Sequence, residues 1–492
     1  MISLTYAGAG GGKTTSLVDS VCEQIPHLNS NRFLCVITYT NDAERDIRKR
    51  LSDLADVPRN VFIGTIHSFL FRFIIKPHFD DGANFSIVSE LAKKEEVIAG
   101  YIDWAKRTIS DPDKRKNVIN ANWSKRKAEI YSKLINSQLM TYDQIVKISR
   151  ELVSKSKIRN AVANKVQCLF VDEYQDTYKW QHDIFLKIYS CKKTDFFVVG
   201  DPNQSIYGFS YGASENNAVK PKKYEDFPIC QVRSFCDSYN EKIINYRSSK
   251  EIVDVANLFN QSFQQKSYMG VFSPVVAIET PSHDEIYNIF HAKREELGLD
   301  GKVFYLSQYN DTLLPYIEKI EDDPVGRRCI RSVEACVSQL VGMSVIRLCE
   351  SNSITRIQFR ALSVLVGKQD SIDLPVVNKI FLNKFGRKLV CSQQKLGKAV
   401  PFEVNIKTGH RALTIHKSKG LEAESVLVIL NSNKHINKLL KRKDLMKSEK
   451  DDDLRLGYVS FTRAKKLLVI ACKEEVSPQN KIELKKLNIE VV

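Results

Sequence analysis

Residues 7–14 read Ala-Gly-Ala-Gly-Gly-Gly-Lys-Thr, and this stretch restricts the fold more than any other in the chain. Apolar Leu4, Tyr6 and Ala7 lead into it, and Thr15-Ser16-Leu17-Val18 lead out, the pattern of a short strand, a glycine loop and a helix start. A loop this rich in glycine turns its backbone N–H groups around a phosphate chain. Ala7, Gly8, Ala9, Gly10, Gly11, Gly12, Lys13, Thr14 and Thr15 would then line the phosphates, with Lys13 on the β and γ groups and the Thr14 hydroxyl on Mg2+. The helix that follows aims its N-terminal dipole at the same anions. Ala7 occupies a first position that the loose form of the motif allows. The alternative is a plain glycine turn beside a lysine; the order strand, loop, helix favours the phosphate site. Phosphate binding names no reaction, so the remaining residues must supply it.

Composition narrows the partner. The net charge of +16 over 492 residues is the usual mark of a polyanionic partner, nucleic acid above all, although a merely soluble basic protein carries the same balance. With 43% hydrophobic residues the chain can bury a sizeable core, and its length suits several domains. The 11 cysteines include no Cys-x-x-Cys pair, which argues for reduced thiols in a cytoplasmic protein and against a zinc site or a disulfide framework. Cys35 and Cys168, inside apolar runs, read as core filler. No apolar run approaches a membrane span, and the early phosphate loop leaves no expected room for a signal peptide.

Along the chain, Phe33–Thr40 reads as a buried strand, with Asn41 as the cap of a helix through Leu51. Val61–Thr65 is a second short strand, ending at Ile66-His67-Ser68-Phe69. Two strand-then-helix units after a phosphate loop predict a parallel, doubly wound α/β sheet. Residues 85–140 are polar and helix-prone, with Lys106-Arg107, Lys114-Arg115-Lys116 and Lys125-Arg126-Lys127 set among Trp104 and Trp123. This inserted helical subdomain either tracks a nucleic-acid backbone or is a solvated charged face over two core tryptophans. The sheet pattern returns at Val166–Val171 and at Asp195–Gly200. A second strand–helix region begins near Ile243 and includes Lys302–Leu306. Residues 321–405 lack strand–helix alternation and read as a second insertion, after which Ala412–Ile415, Ser425–Leu430 and Leu467–Ala471 resume it. The lysine- and arginine-rich run near 434–453 reads as an exposed loop, and no solenoid repeat is present.

Asp172 and Glu173 directly follow an apolar strand. There, Asp172 would complete the Mg2+ shell begun by Thr14, and Glu173 would position or deprotonate an attacking water. An Asp-Glu pair alone is weak; after a strand, in a chain with a phosphate loop, it is strong.

Eight motifs then occur in one order. They are Ala7–Thr14, Thr38–Asn41, Gly64–Ser68, Asp172-Glu-Tyr-Gln-Asp176, Val199-Gly-Asp-Pro-Asn-Gln-Ser-Ile-Tyr207, Asn245-Tyr-Arg-Ser248, Thr414-Ile-His-Lys-Ser-Lys-Gly-Leu-Glu422 and Tyr458-Val-Ser-Phe-Thr-Arg-Ala464. The series resembles the UvrD-like helicases of superfamily 1 over nearly the full chain. That resemblance implies two RecA-like domains with parallel sheets, each carrying a small, mainly helical insertion. The first would comprise 1–84 and 141–235 around insertion 85–140, and the second 236–320 and 406–492 around a reduced insertion 321–405. It implies ATP hydrolysis with Mg2+ and movement on single-stranded DNA, usually 3′ to 5′. By position, Gln204 resembles the γ-phosphate sensor, Arg247 and Arg463 the arginines that reach the γ-phosphate, Tyr246 the adenine-stacking ring and Glu422 the ribose contact. Tyr39, Asn41, His67, Tyr207 and Phe209 fall where the family touches DNA; Tyr39 and Phe209 taken singly also suit core packing.

The chain departs from the family in three ways. No glutamine precedes the phosphate loop, so base recognition falls largely to Tyr246 and weak discrimination between ATP and GTP is expected. Gly208-Phe-Ser-Tyr-Gly-Ala213 replaces the usual Gly-Phe-Arg-Gly-Ala. The chain is also short, and its build, with Phe62–Thr65, Tyr246-Arg-Ser and Thr462-Arg-Ala-Lys465, is similar to the helicase-like subunit of Gabija anti-phage systems. Such subunits work with an ATP-sensing nuclease of the overcoming-lysogenization-defect (TOPRIM) type, which implies a hetero-oligomer. Three rivals remain at this stage: a nucleotide-dependent DNA-sensing regulatory subunit that hardly unwinds, an RNA translocase and, least fitting, a small-molecule kinase.

Overall fold

The computed structural model describes residues 1–80, 84–88, 138–206, 226–259, 263–321, 345–366, 374–390, 410–432 and 452–492, with a few positions between them. The chain divides into two compact units. The first comprises Met1–Tyr246 with Asn260–Lys266 and Asp444–Arg455, and the second Arg247–Phe259, Ser267–Lys443 and Leu456–Val492.

The first unit is built on a six-stranded sheet. Its strands are β1 (Ile2–Ala7), β2 (Phe33–Thr38), β3 (Val61–Thr65), β4 (Val166–Val171), β5 (Asp195–Gly200) and β6 (Ser238–Lys242). They lie in the order β3-β2-β4-β5-β1-β6, every pair parallel. The apolar runs are continuous because both faces are covered, as a parallel sheet with crossover helices requires. One face packs Leu4, Tyr6, Cys35 and Ile37 against Phe69, Phe185 and Ile188. The other packs Leu34, Val36, Cys168 and Phe170 against Leu17, Val18 and Val21 of the helix Lys13–Gln24. Cys35 and Cys168 are buried free thiols, the filler role expected of them.

Register decides what the sheet presents. Tyr6 lies opposite Gly200, and Val171 opposite Val198, so β1, β4 and β5 finish along one edge. The phosphate loop, Asp172-Glu173 and Asp201 all leave the sheet there, at the carboxyl ends of its strands.

The second unit repeats this topology. Its strands β7 (Val275–Glu279), β8 (Val303–Ser307), β9 (Arg411–Thr414), β10 (Ala423–Leu430), β11 (Ala464–Cys472) and β12 (Ile489–Val491) lie in the order β9-β8-β10-β11-β7-β12, again all parallel. Numbered within its unit, each sheet reads 3-2-4-5-1-6. Val345–Ser351, Arg356–Val366 and Leu374–Phe385 are helices whose Leu348, Phe359, Leu362, Val377 and Phe381 share a separate small core. These are the described part of the second insertion.

Two local expectations change. Ser238–Lys242 adds to the first sheet beside β1, so that unit runs to Tyr246 rather than ending near 235. A five-residue polar strand has no periodicity of its own that would tell which sheet takes it. The helix Asn41–Leu54 is capped not by Asn41 but by Thr40, whose hydroxyl accepts the Ala43 N–H at 3.1 Å. Of the first insertion, Ser86–Val88 and Leu139–Thr141 form a two-stranded parallel ladder; the basic stretch with Trp104 and Trp123 lies outside the described residues. So does most of the 434–453 run.

Candidate nucleotide and nucleic-acid site

Gly10 and Gly12 take left-handed backbone angles, with φ of 69° and 73°. A side chain at either would be strained, which is why the loop needs glycine there. Gly11 donates its N–H to the Gly8 carbonyl at 3.0 Å, tightening the curve. Gly12 then acts as the N-cap of Lys13–Gln24, with no side-chain cap and no acidic residue in the first turn. A helix start left without an internal partner for its N–H groups suits an external anion.

Lys13 Nζ lies 3.9 Å from Glu173 Oε2. Glu173 stands at φ 49°, a left-handed angle unusual for a non-glycine residue, and its N–H donates to Asp172 Oδ1 at 2.9 Å. Asp172 is buried and its carboxyl is pushed up to about 7, first by burial and then by the charge of Glu173, with Lys13 pulling the other way. Asp176, also buried, raises it further. The adjacent carboxyls of Asp172 and Glu173 thus share the charge of one lysine at the edge where the glycine loop leaves the sheet. Thr14 stands half-buried at the start of its helix and Thr15 is exposed, its hydroxyl accepting from Arg50 Nη1 at 3.4 Å.

A residue the sequence reading passed over links this pair to the neighbouring strand. Gln175, fully buried, donates from Nε2 to Glu173 Oε2, and its Oε1 accepts the Asp201 N–H at 2.9 Å. Asp201 Oδ2 accepts in turn from Gln204 Nε2 at 2.7 Å. Gly200 is required beside it, because a Cβ there would stand 2.4 Å from Gln175 Oε1 and 3.1 Å from the Tyr174 nitrogen. Gln204, taken from the sequence as the phosphate sensor, is therefore joined to Glu173 by a chain of hydrogen bonds. The only sequence signal for Gln175 was its place inside a motif quoted for its carboxylates.

Tyr246 donates its backbone N–H to the Gly10 carbonyl at 2.9 Å while the residue remains 59% exposed, so an exposed ring is tethered at the loop. In the second unit, Arg247 Nε lies 2.7 Å from Glu422 Oε2, and Lys465 Nζ lies 2.6 Å from Glu422 Oε1. The two cations hold the Glu422 carboxyl below its ordinary range against the opposing pull of burial. Arg247 and Glu422, read separately in the sequence, form one ion-pair cluster, and Lys465 is a member the reading missed. Arg463 is buried among its own unit's carbonyls, donating to Val459 O at 2.8 Å and Leu421 O at 3.2 Å.

The residues read as DNA contacts begin at the same edge of the first sheet. Thr38 pairs with Thr65, so Tyr39, Asn41 and His67 follow the ends of adjacent strands. The Tyr39 hydroxyl is 2.5 Å from Thr177 Oγ1, with the ring half-buried, and Asn41 is exposed. The His67 ring lies 4.4 Å from that of Tyr142. Tyr207 and Phe209 lie outside the described residues. Among the described residues, no group of three or more His, Cys, Asp or Glu side chains forms a metal cluster, and no helix is long and apolar enough to cross a membrane.

Comparison with known families matches residues 2–138 and 98–225 to the UvrD/REP helicase N-terminal domain and residues 388–475 to the UvrD-like helicase C-terminal domain, together more than half of the chain. Gabija protein GajB of Bacillus cereus (strain VD045) is 23% identical over 99% of this chain and 96% of its own length. ATP-dependent DNA helicase PcrA of Leuconostoc citreum is 28% identical over 52% of this chain and 36% of its own length. ATP-dependent DNA helicase Rep of Buchnera aphidicola subsp. Acyrthosiphon pisum (strain APS) is 30% identical over 63% of this chain and 53% of its own length. The chain thus spans nearly all of the Gabija relative and between about a third and just over half of the PcrA and Rep relatives.

Proposed function

Because the chain belongs to the UvrD-like helicase family, we propose that it hydrolyses ATP to drive movement along single-stranded DNA, 3′ to 5′, and opens duplex as it moves. The observation that carries the reading is Lys13 facing Glu173 across 3.9 Å at the carboxyl edge of a parallel sheet. ATP as substrate would supply the phosphoanhydride bond, and Mg2+ the positive charge that offsets its phosphates. The backbone N–H groups of the loop and the Lys13 ammonium would hold the phosphates, and the Thr14 hydroxyl and the Asp172 carboxylate would hold the cation. Glu173 accepts the proton of the attacking water, and Gln175 keeps its carboxylate aimed. Tyr246 stacks on the base, Glu422 contacts the ribose, and Gln204, Arg247 and Arg463 meet the γ-phosphate as charge develops on it.

On the DNA side, Tyr39, Asn41, His67, Tyr207 and Phe209 contact the strand, and the net charge of +16 supports a phosphate-tracking surface. The near full-length match to a Gabija protein supports the finer reading, in which the chain acts in the cytoplasm with a TOPRIM-type nuclease subunit against phage. One experiment tests the core of the proposal. ATP hydrolysis is measured with and without single-stranded DNA, beside strand displacement from duplexes tailed at 3′ or at 5′. The expected result is DNA-stimulated hydrolysis and displacement from the 3′-tailed substrate. Stimulated hydrolysis without displacement from either would replace the helicase by a DNA sensor, and stimulation by RNA alone would replace the substrate.

A further inference from the structure

Gln265 lies outside every motif above, yet its buried side chain covers the phosphate loop. Its Nε2 donates to the Ala9 carbonyl at 3.2 Å. A Cβ on Gly8 would stand 2.4 to 2.6 Å from the Gln265 side-chain amide, so the two are in direct apposition. Asn245 Nδ2 donates to the same Ala9 carbonyl at 2.9 Å, and the Tyr246 N–H fastens the next carbonyl, Gly10, also at 2.9 Å. Three donors from residues 245–265 therefore hold two successive carbonyls of a loop that is otherwise glycine at positions 8, 10, 11 and 12.

The consequence follows from peptide geometry. In a trans peptide the carbonyl and the N–H point in opposite directions. Fastening the Ala9 carbonyl to Gln265 and Asn245 turns the Gly10 N–H to the other side, and fastening the Gly10 carbonyl does the same for the Gly11 N–H, which is tied to Gly8. Glycine-rich backbone has many conformations to lose, and each one excluded beforehand lowers the entropy that a ligand must remove. We propose that Gln265 is a positioning residue for the phosphate loop, presetting the Gly10 amide for the anionic chain of a nucleoside di- or triphosphate. This rests on the nucleotide reading above and goes beyond it in naming a residue from outside the motif series.

The test uses the full chain. Binding of MgADP is measured by calorimetry and ATP hydrolysis at steady state, for wild type, Lys13→Ala, Gln265→Met, Gly8→Ala and the pair Gly8→Ala/Gln265→Ala. Methionine keeps the length and fills the space but lacks the donor. Losing one such bond raises the MgADP dissociation constant and the KM about tenfold, with kcat within about twofold, because the tie serves binding in ground and transition states alike. Gly8→Ala displaces the amide and shifts KM in the same way, and the pair is no worse than either single change, since both break one contact. Should Gln265→Met fail to fold, Gly8→Ala and the pair carry the test. A lowered melting temperature with wild-type KM would make Gln265 a packing residue and overturn the inference, as would additive losses in the pair. If wild type binds MgADP, Lys13→Ala does not and Gln265→Met matches wild type, the inference fails and the nucleotide reading stands. No binding by wild type would remove both.

Discussion

Glu173 is held at its left-handed backbone angle with its carboxylate between Lys13 and Gln175. Such local strain persists only where surrounding bonds over-determine it, and here those bonds aim one carboxylate at the loop. Glu173→Gln keeps the shape and loses the base, so nucleotide affinity is expected within a few fold of wild type while turnover falls by roughly a hundredfold or more. Single-turnover hydrolysis beside MgADP binding measures both; wild-type turnover would reassign the base. His182 belongs to the same unit but to its core. Its Nδ1 lies 2.8 Å from the Tyr174 hydroxyl, and burial lowers its pKa from 6.5 to about 4. Between those values the unfolded chain binds a proton that the native histidine does not, so stability falls as pH drops through this window and the loss stops near pH 4. At pH 5 the contribution is about 2 kcal/mol. Denaturant melts at pH 7.5 and 5 are expected to show that much smaller a loss for His182→Gln than for wild type.

At the scale of elements, two of the helix starts in the first unit are built differently. The helix Tyr142–Ser154 has a complete capping box, with the Thr141 hydroxyl accepting the Gln144 N–H at 3.3 Å and Gln144 Oε1 accepting the Thr141 N–H at 3.0 Å. Lys13–Gln24 has no side-chain cap. The first helix caps itself through its own side chains; the second has no such cap. Thr141→Ala is expected to cost about 1 kcal/mol of stability, read as a lower denaturant midpoint, with kcat unchanged because the bond it removes lies within its own helix start. The strands were legible for a plain reason. Leu34, Cys35, Val36 and Ile37 are all buried, so their run of apolar residues has no polar interruption. Ser238–Lys242 was not legible, since its residues are mostly exposed or half-exposed and only pairing with β1 makes it a strand.

At the scale of the whole molecule, the same strand order occurs in both units, although the sequence shows no repeat of solenoid period. Topology is kept by which strands pair, and many apolar sequences satisfy one pairing. Only the first unit carries a glycine loop after its first strand; in the second, β7 ends at Glu279 and Ser282 caps the next helix. The glycine loop thus belongs to one copy, and Arg247, Glu422 and Arg463 belong to the other. The proposed binding to single-stranded DNA would involve the charge of the chain at large. If about five phosphates are neutralised, affinity is expected to fall roughly a hundredfold between 50 and 200 mM salt. Fluorescence anisotropy of a labelled oligonucleotide measures the slope; a flat response would remove the phosphate-tracking surface from the account.

The amino-acid sequence by itself determined the phosphate loop, the strands behind it, the carboxylate pair and the order of motifs that marks the family. Each of these is written in residues a few positions apart, where glycine freedom, apolar runs and fixed spacing act locally. Tertiary structure alone decided which distant residues meet. Gln265 reaches Ala9, Gln175 bridges Glu173 to Asp201, Arg247 and Lys465 share Glu422, and β6 joins β1. Those meetings depend on the register of strands far apart in the chain, and a polar side chain bears no local mark of the partner that register will bring to it.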